Sequence, residues 1–236
     1  MSVAVVTTFS PKGYEVYGRR MINTFDRNWP KDVPLYVYYE GEKPADASDR
    51  ATWLPLDADE DRAKFAAKHK DHPIDYRRQP IKFSHKVFAV TGAPRDTDWL
   101  IWLDGDIEAA APISHDFLAW VLPDDGSVAA YMGRDWWLHT ESGFLAYRLN
   151  EYGRAFLDDM RRAYMSGLVT TLPEWHDCMV FDHLRRIYEK AGYKFHDLAA
   201  EYHGPSLDVM PATVLGDVML HHKGPKQKRH AYGDVA

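Results

Sequence analysis

Short apolar runs alternate along the chain with segments whose apolar residues recur every three or four positions. An uninterrupted apolar run is typical of a strand buried on both faces, and the longer period is typical of a helix packed on one side. The pattern predicts strands over residues 3–6, 35–39, 99–103, 128–132, 143–148 and 218–221. It predicts helices over residues 14–25, 57–72, 83–90, 152–166 and 178–191. Strands that alternate with helices favour an α/β fold with a mainly parallel sheet.

No internal repeat, low-complexity linker or break in composition divides the 236 residues, so the sequence predicts a single domain. Apolar residues make up 45% and charged residues 27% of the chain, which is ordinary for a globular protein. The net charge of −6 argues against a protein that coats a polyanion over its whole surface. A local basic segment remains at residues 223–230.

The cysteine content and the N-terminal residues indicate where in the cell the protein is located. Cys178 is the only cysteine, which excludes an intrachain disulfide and a zinc site built from cysteines. The first residues lack the basic and apolar regions of a signal peptide, and no apolar window reaches the length of a membrane span. We therefore expect a soluble protein of the cytoplasm.

The predicted strand 99–103 ends at Asp104-Gly105-Asp106, two carboxylates separated by one glycine. In open α/β sheets, ligands bind in the crevice outside the carboxyl ends of the strands. Carboxylate oxygens are the ligands that Mg²⁺ and Mn²⁺ prefer, and these ions in turn bind diphosphates. The motif therefore predicts a site for a divalent metal ion and a nucleotide.

Three other interpretations compete for this motif. Asp-Gly is a common two-residue hairpin turn, so Asp104-Gly105 is compatible with a simple reversal of the chain. A calcium-binding loop needs Glu at the twelfth position from Asp104, where this chain has His115. A phosphatase of the haloacid dehalogenase type has Thr or Val where this chain has Glu108. Counting positions therefore argues against calcium and against the phosphatase, and leaves the hairpin open.

A second polar segment, His221-His222-Lys223-Gly224, follows the last predicted strand. An imidazole at a strand end can ligate a metal, and lysines beside it can neutralise the phosphates of a leaving nucleotide. The structural alternative is a surface pair of histidines beside a solvated basic tail. Together with Asp104 and Asp106, the segment favours a metal-diphosphate site with either histidine as the ligand.

The two segments together resemble those of GT-A fold glycosyltransferases, which use nucleotide sugars. In that family a DxD motif at a strand end holds Mn²⁺ or Mg²⁺, and the metal binds the diphosphate of the donor. His221-x-x-Gly224 is similar to a C-terminal motif of the glycogenin-like branch, in which the histidine is the third metal ligand. That branch continues with Lys-Pro-Trp, whereas this chain has Gln227-Lys228-Arg229, so the branch stays open.

The resemblance implies a fold and a set of binding residues. The fold is a Rossmann-like, mixed, mainly parallel sheet flanked by helices, with residues 1–106 as the nucleotide-binding half and residues 107–236 as the acceptor-binding half. The implied metal ligands are Asp104, Asp106 and His221. The implied donor-binding residues are Thr7, Thr8, Lys86, Asp104, Gly224 and Lys226. For Lys86 the structural alternative is a solvated lysine on a helix.

The resemblance also implies a catalytic base, provided that transfer inverts the configuration of the sugar. Such a base is a carboxylate that deprotonates the acceptor hydroxyl. Asp177 is the first candidate, and its structural alternative is the N-cap of helix 178–191. Glu141, in a polar turn, is the second candidate. A retaining mechanism needs no such base and stays open, as does the oligomeric state.

The acceptor is open among a DNA base, a glycan and a protein. The chain is compatible with compact bacteriophage enzymes that glycosylate hydroxymethylated pyrimidines in DNA. Residues 223–230 would then contact the phosphates of the DNA, and the protein would act in the host cytoplasm. One alternative is a nucleotidyltransferase, although such enzymes have a Gly-rich phosphate loop after the first strand and this chain has none. Another is a carbohydrate- or nucleic-acid-binding module without catalysis, which leaves the two aspartates unexplained.

Overall fold

The structure is a computed structural model that describes residues 1–71, 75–134 and 139–232, without the side chains of Pro225, Lys226 and Arg229. Its strands are β1 (Val3–Phe9), β2 (Leu35–Tyr39), β3 (Ala51–Pro55), β4 (Trp99–Leu103), β5 (Ile107–Ala109), β6 (Ala129–Met132), β7 (Glu141–Arg148), β8 (His196–Asp197) and β9 (Met219–His221). Seven of them form one sheet in the order β3-β2-β1-β4-β7-β6-β8, and β5 pairs with β9 in a second sheet. In the large sheet β7 runs antiparallel to both its neighbours, and the other described pairings are parallel.

Helices pack against both faces of the large sheet. They are α1 (Pro11–Gly13), α2 (Arg19–Asn28), α3 (Glu60–His69), α4 (Pro80–Gly92), α5 (His115–Val121), α6 (Glu151–Met165), α7 (Asp177–Lys190) and α8 (Gly224–Tyr232). A π-helical stretch over Tyr14–Gly18 joins α1 to α2. Polar side chains begin several of these helices: Ser10, Asp59 and Asn150 each accept a backbone N–H of the first turn.

Strand β4 lies at the centre of the large sheet, between β1 and β7, and every one of its residues is buried. Its side chains alternate between two cores, because successive residues of a strand point to opposite faces. Trp99 and Ile101 join the core that contains α2, whereas Leu100 and Trp102 join the core beneath α4, α6 and α7. Burial on both faces explains the continuous apolar run, and it leaves the polar residues that follow β4 at the edge of the sheet.

The small β5–β9 sheet brings the two polar segments of the sequence together. Ile107 pairs with His221 across this antiparallel ladder, and the His222 N–H donates to the Asp106 carbonyl at 3.1 Å. Two segments more than one hundred residues apart along the chain are thereby held side by side. The short ladder is what places an imidazole next to the Asp104–Asp106 motif.

The predicted fold class is confirmed: the chain is one α/β domain with a mixed, mainly parallel sheet flanked by helices. All six predicted strands are present, and those over residues 35–39 and 99–103 have the predicted ends. All five predicted helices are present with shifted ends, although residue 72 of the predicted helix 57–72 lies outside the described residues. The pattern missed β3, β5, β8, α1, α5 and α8, most of which are short, and the predicted basic tail is the helix α8. Among the described residues, no helix is both long and apolar enough to cross a membrane.

The hairpin interpretation of Asp104-Gly105 is wrong. The Ile107 N–H donates to the Asp104 carbonyl at 3.0 Å, so the chain does turn there. The strands on either side of the turn, however, belong to different sheets and do not pair with each other. The glycine has a packing role, because a Cβ at Gly105 would lie 2.4 Å from Cε1 of Phe9.

Candidate functional site

A cavity of about 940 Å³ opens at the carboxyl ends of β1 and β4. Thr8 and Asp104, which stand at those strand ends, line it together with Lys86 of α4, Asp177 of α7 and Lys228 of α8. This is the position at which open α/β sheets bind ligands. The volume is within the range of roughly 300–1,000 Å³ that is usual for small-molecule sites.

Asp104, Asp106 and His221 form the metal cluster, in which one potential ligand atom from each residue lies within 4.8 Å of the other two. Asp106 and His221 are both buried, and Nε2 of His221 lies 3.5 Å from Oδ1 of Asp106. Two carboxylates and an imidazole are a donor set that suits Mn²⁺ or Mg²⁺. The residues predicted as metal ligands are thus brought together, and their chemistry fits such an ion.

Asp106 and His221 shift each other's pKa in opposite directions. Burial would lower the pKa of His221, but Asp106 and Asp208 beside the ring raise it to about 10. Burial would raise the pKa of Asp106, but His221 and Lys228 hold it well below its usual range. Oδ1 of Asp208 lies 3.5 Å from Nδ1 of His221, so this carboxylate faces the ring nitrogen opposite the one near Asp106. It is placed to orient the imidazole, as outer carboxylates do at metal sites.

Lysines of the C-terminal segment point into the cavity. Nζ of Lys228 lies 2.7 Å from Oδ2 of Asp106, and Lys223 forms an ion pair with Glu141. Arg134 lies 3.5 Å from the same Glu141 carboxylate. The interpretation of this segment as a solvated tail is therefore wrong for Lys223 and Lys228. Lys228 places positive charge beside the metal cluster, whereas burial and Arg134 lower the pKa of Lys223 to about 7.

Lys86 holds two candidate functional carboxylates together. Its Nζ lies 2.8 Å from Asp104 and 3.0 Å from Asp177, and it donates to the Ser142 carbonyl at 2.8 Å. The ammonium also lies 5.0 Å from the centre of the Trp102 ring, whose indole N–H donates to Asp104 at 2.7 Å. Burial would lower the pKa of Lys86, but Asp104 and Asp177 raise it. The alternative of a solvated lysine is thus wrong, and Lys86 is a charged bridge in the wall of the cavity.

Both predicted catalytic carboxylates line the cavity. Asp177 is the first residue of α7 and is buried, while His176 occupies the N-cap position. The N-cap interpretation of Asp177 is therefore wrong, and its carboxylate faces Lys86 instead. Glu141 is also buried, and it accepts the Gly143 N–H at 3.0 Å in addition to its ion pairs.

Only some of the predicted donor-binding residues line the cavity. Thr8 lines the cavity and its hydroxyl donates to the Tyr38 carbonyl at 2.6 Å, whereas Thr7 is completely buried within β1 and does not line the cavity. Gly224 begins α8 with a φ of +79°, a conformation that favours glycine, and it does not line the cavity either. The side chain of Lys226 lies outside the described residues.

The sequence interpretation missed a cluster at the far side of Asp177. His139, His176 and Cys178 each place one potential ligand atom within 4.8 Å of the other two. Nε2 of His139 lies 3.2 Å from Glu174, and Arg134 donates to its Nδ1 at 2.9 Å. The arginine beside the imidazole makes a hydrogen-bonded wall the better description than a second metal site. Of the three residues, only His176 lies in the stretch 174–177 that leads into α7, so no sequence spacing groups it with His139.

Comparisons with known proteins support the fold. No family model matches the sequence, and no curated protein matches it either. Solved structures with a similar fold include the bifunctional glycosyltransferase WbbM, with 13% identity and a TM-score of 0.57 over 95% of this chain and 46% of that one. Mouse xyloside xylosyltransferase 1 has 13% identity and a TM-score of 0.50, covering 84% of this chain and 85% of that one.

A third structure is a glycosyltransferase involved in glycosylation of the major capsid of PBCV-1, with 13% identity. The alignment covers 98% of this chain and 100% of that one, with a TM-score of 0.47. At such identities the other two similarities concern the fold alone. The chain therefore has a fold that is found in glycosyltransferases, with the metal cluster and the cavity at the carboxyl edge of its sheet.

Proposed function

We propose that this protein is a metal-dependent glycosyltransferase, which moves a sugar from a UDP-sugar to a hydroxyl group of an acceptor. The observation that carries the proposal is the metal cluster, because Asp104, Asp106 and His221 converge beyond the end of β4 and the two aspartates line a cavity of about 940 Å³. The fold is compatible with this activity, since solved glycosyltransferases share it.

The donor end of the reaction needs positive charge. The metal cluster would hold Mn²⁺ or Mg²⁺, and the bound ion would neutralise charge on the diphosphate of the donor. The chain itself supplies Lys228, 2.7 Å from Asp106, and Lys223, which also lines the cavity. The Lys228 ammonium is placed to stabilise the charge that develops as the nucleoside diphosphate leaves.

The acceptor end needs a base if the transfer inverts configuration. We assign this role to Asp177, which is buried in the cavity wall and is joined to Asp104 through Lys86. The bridge holds the proposed base at a defined distance from the donor site. Glu141 is the second candidate, but Lys223 and Arg134 both lie against its carboxylate. The acceptor itself is a hydroxyl of a nucleic-acid base, of a glycan or of a protein.

Calorimetric titration of UDP, with and without Mn²⁺, tests the proposal. We expect UDP to bind much more tightly with Mn²⁺, and Asp106→Asn to remove that difference because it removes a charged ligand. Asp49→Asn is the matched control, since Asp49 is exposed and does not line the cavity. Metal-independent UDP binding, or unchanged binding by Asp106→Asn, would contradict the metal assignment. Mass spectrometry of acceptors incubated with a panel of nucleotide sugars then identifies the product.

A further inference from the structure

A group of exposed side chains surrounds the mouth of the cavity on the α4 side. Tyr76, Arg77 and Arg78 form a 3₁₀ turn, and Lys82 lies in the first turn of α4; all four line the cavity. We call these four residues the basic rim. The Tyr76 residue is 66% exposed and the Arg77 side chain is 67% exposed, so the basic rim faces solvent as well as the cavity.

The basic rim is a local exception in an acidic protein. Residues 68–86 contain six Lys or Arg and two Asp, whereas the whole chain has a net charge of −6. Arg77 lies 3.4 Å from Glu174, whereas neither Arg78 nor Lys82 forms an ion pair among the described residues. Positive charge that is concentrated at the mouth of a cavity attracts an anionic ligand and raises its local concentration.

The basic rim lies next to the proposed base. The backbone N–H of Trp175 donates to the Arg77 carbonyl at 2.8 Å, and Nε2 of His176 lies 3.2 Å from the Tyr76 carbonyl. The rim therefore packs directly on the residues that precede Asp177. The metal cluster lies on the other side of Lys86, which stands between Asp177 and Asp104. The basic rim thus lies on the Asp177 side of Lys86, and the metal cluster lies on the Asp104 side.

Tyr76 adds an aromatic surface to the rim. Its ring contacts Phe83 and His176 edge-on, with centroids 6.0 Å and 5.4 Å away, and most of the ring stays open to solvent. Nζ of Lys82 lies 5.8 Å from the same ring. An open aromatic ring among Arg and Lys side chains is the combination by which proteins bind single-stranded nucleic acid, with bases stacked on the ring and phosphates on the cations.

We propose that the basic rim binds a single-stranded nucleic-acid segment as the acceptor, with a base stacked on Tyr76 and phosphates on Arg78 and Lys82. The accepting hydroxyl would then face Asp177. This inference rests on the proposed glycosyltransferase function. It places the contact with phosphates on the basic rim rather than on residues 223–230, because Lys223 and Lys228 already face carboxylates inside the cavity.

Fluorescence titration with a short single-stranded oligothymidylate tests the inference, and UDP with Mn²⁺ is titrated separately as the donor-site probe. We expect Arg78→Ala/Lys82→Ala to weaken oligothymidylate binding by about tenfold or more, because each bond to a phosphate is charge-assisted. The salt dependence of binding, as log K against log[salt], should become shallower by about 0.7 for each phosphate that the variant no longer neutralises. The matched control is Arg27→Ala/Lys190→Ala, which removes one Arg and one Lys that are exposed away from the cavity.

The stacking part has its own test. Tyr76→Ala should weaken oligothymidylate binding by about fivefold or more and leave inorganic tripolyphosphate unaffected, because tripolyphosphate has no ring to stack. Tyr152→Ala is the control, since Tyr152 is 45% exposed and does not line the cavity. Equal binding of tripolyphosphate and oligothymidylate, with no effect of Tyr76→Ala, would overturn the nucleic-acid assignment in favour of a phosphate without a base.

The two proposals fail in different ways. If UDP binds with Mn²⁺ but oligothymidylate does not bind, the acceptor inference is wrong and the proposed function stands. If Arg78→Ala/Lys82→Ala weakens UDP binding as much as oligothymidylate binding, the basic rim belongs to the donor site and the inference is again wrong. If oligothymidylate binds through the rim while UDP does not bind at all, the proposed function fails, and with it the role of the bound strand as a glycosyl acceptor.

Discussion

The metal cluster and the basic rim are built on different kinds of backbone. The side chains of the metal cluster lie in or directly beside paired strands, whereas those of the basic rim lie on a 3₁₀ turn and at the start of a helix. Asp104 follows β4, which is hydrogen-bonded to a strand on each side, and His221 belongs to β9. Arg78 and Lys82, by contrast, are exposed and have no ion pair among the described residues. The difference agrees with the two proposed roles, because a metal needs ligands in defined positions while a charged strand needs only adaptable cations.

The largest effect that we expect is on catalysis, at the carboxylate between the two ends. Asp177→Asn should lower the rate of sugar transfer by roughly 10²–10⁴-fold, the usual contribution of a general base, while UDP affinity stays unchanged. Glu141→Gln should have a smaller effect, since cations already lie against that carboxylate. Initial rates with the donor and acceptor found by mass spectrometry provide the measurement. If Asp177→Asn keeps its rate and Glu141→Gln loses it, the two roles are exchanged.

The next effect is on stability, and it compares two lysines of the same helix. Lys86→Met should lower the free energy of unfolding by about 3–5 kcal/mol, because it leaves the buried Asp177 and the neighbouring Asp104 without their shared partner. Lys82→Met, one turn earlier and exposed, is the matched control and should change it little. Urea denaturation of both metal-free proteins gives the values. Equal stability of the two variants would mean that the Lys86 bridge contributes nothing to the fold.

A smaller effect is expected at the residue behind the metal cluster. Asp208 faces His221 from 3.5 Å, so Asp208→Asn should weaken Mn²⁺ binding by about 10–100-fold through a less well-oriented and less basic imidazole. Asp217→Asn, at an exposed aspartate nearby in the chain, should leave Mn²⁺ affinity unchanged. Mn²⁺ titration monitored by electron paramagnetic resonance measures the free ion directly. An unchanged affinity in Asp208→Asn would show that the imidazole is oriented by β9 alone.

The smallest effect belongs to the basic rim. Arg78→Ala should change the free energy of unfolding by less than about 0.5 kcal/mol, because the side chain is exposed and has no ion pair among the described residues. Thermal and urea denaturation check this expectation. A decrease well above that value would mean that Arg78 supports the fold, for example through its position 5.9 Å from the Trp175 ring, and would weaken its assignment to ligand binding.

Much of the fold could be predicted from periodicity, because the large strands and long helices bury enough apolar surface to leave a clear pattern. The elements that were not predicted are mostly short or lie at the periphery of the fold. β5 has three residues and β8 has two, so neither is long enough for a period to emerge. The basic composition of α8 predicts a solvated tail, yet Arg20 and Glu108 hold the last turn of this helix through the Ala231 carbonyl and the Tyr232 hydroxyl.

The candidate site likewise contains residues that the sequence indicated and residues that it did not. That Asp104 and Asp106 lie at the cavity was predictable, because carboxylates directly after a buried strand have few structural reasons to be there. The structural interpretations of Lys86 and Asp177 were wrong for a common reason, since each side chain has its partner in a distant segment of the chain. Residues 76–82 carried only a local excess of positive charge, and neither period nor spacing indicated that they would surround the cavity.

The sequence by itself determined the α/β class, the buried central strand and the chemistry that follows it, because these depend on residue types that are neighbours along the chain. Only the tertiary structure decided which charges meet. The β5–β9 ladder brings His221 to Asp106, and Lys86 joins Asp104 to Asp177. Such contacts depend on how strands and helices pack in space, where charges are strengthened by burial and by one another. The Asp104–Asp106 motif could therefore be recognised from the sequence, but its partners could not.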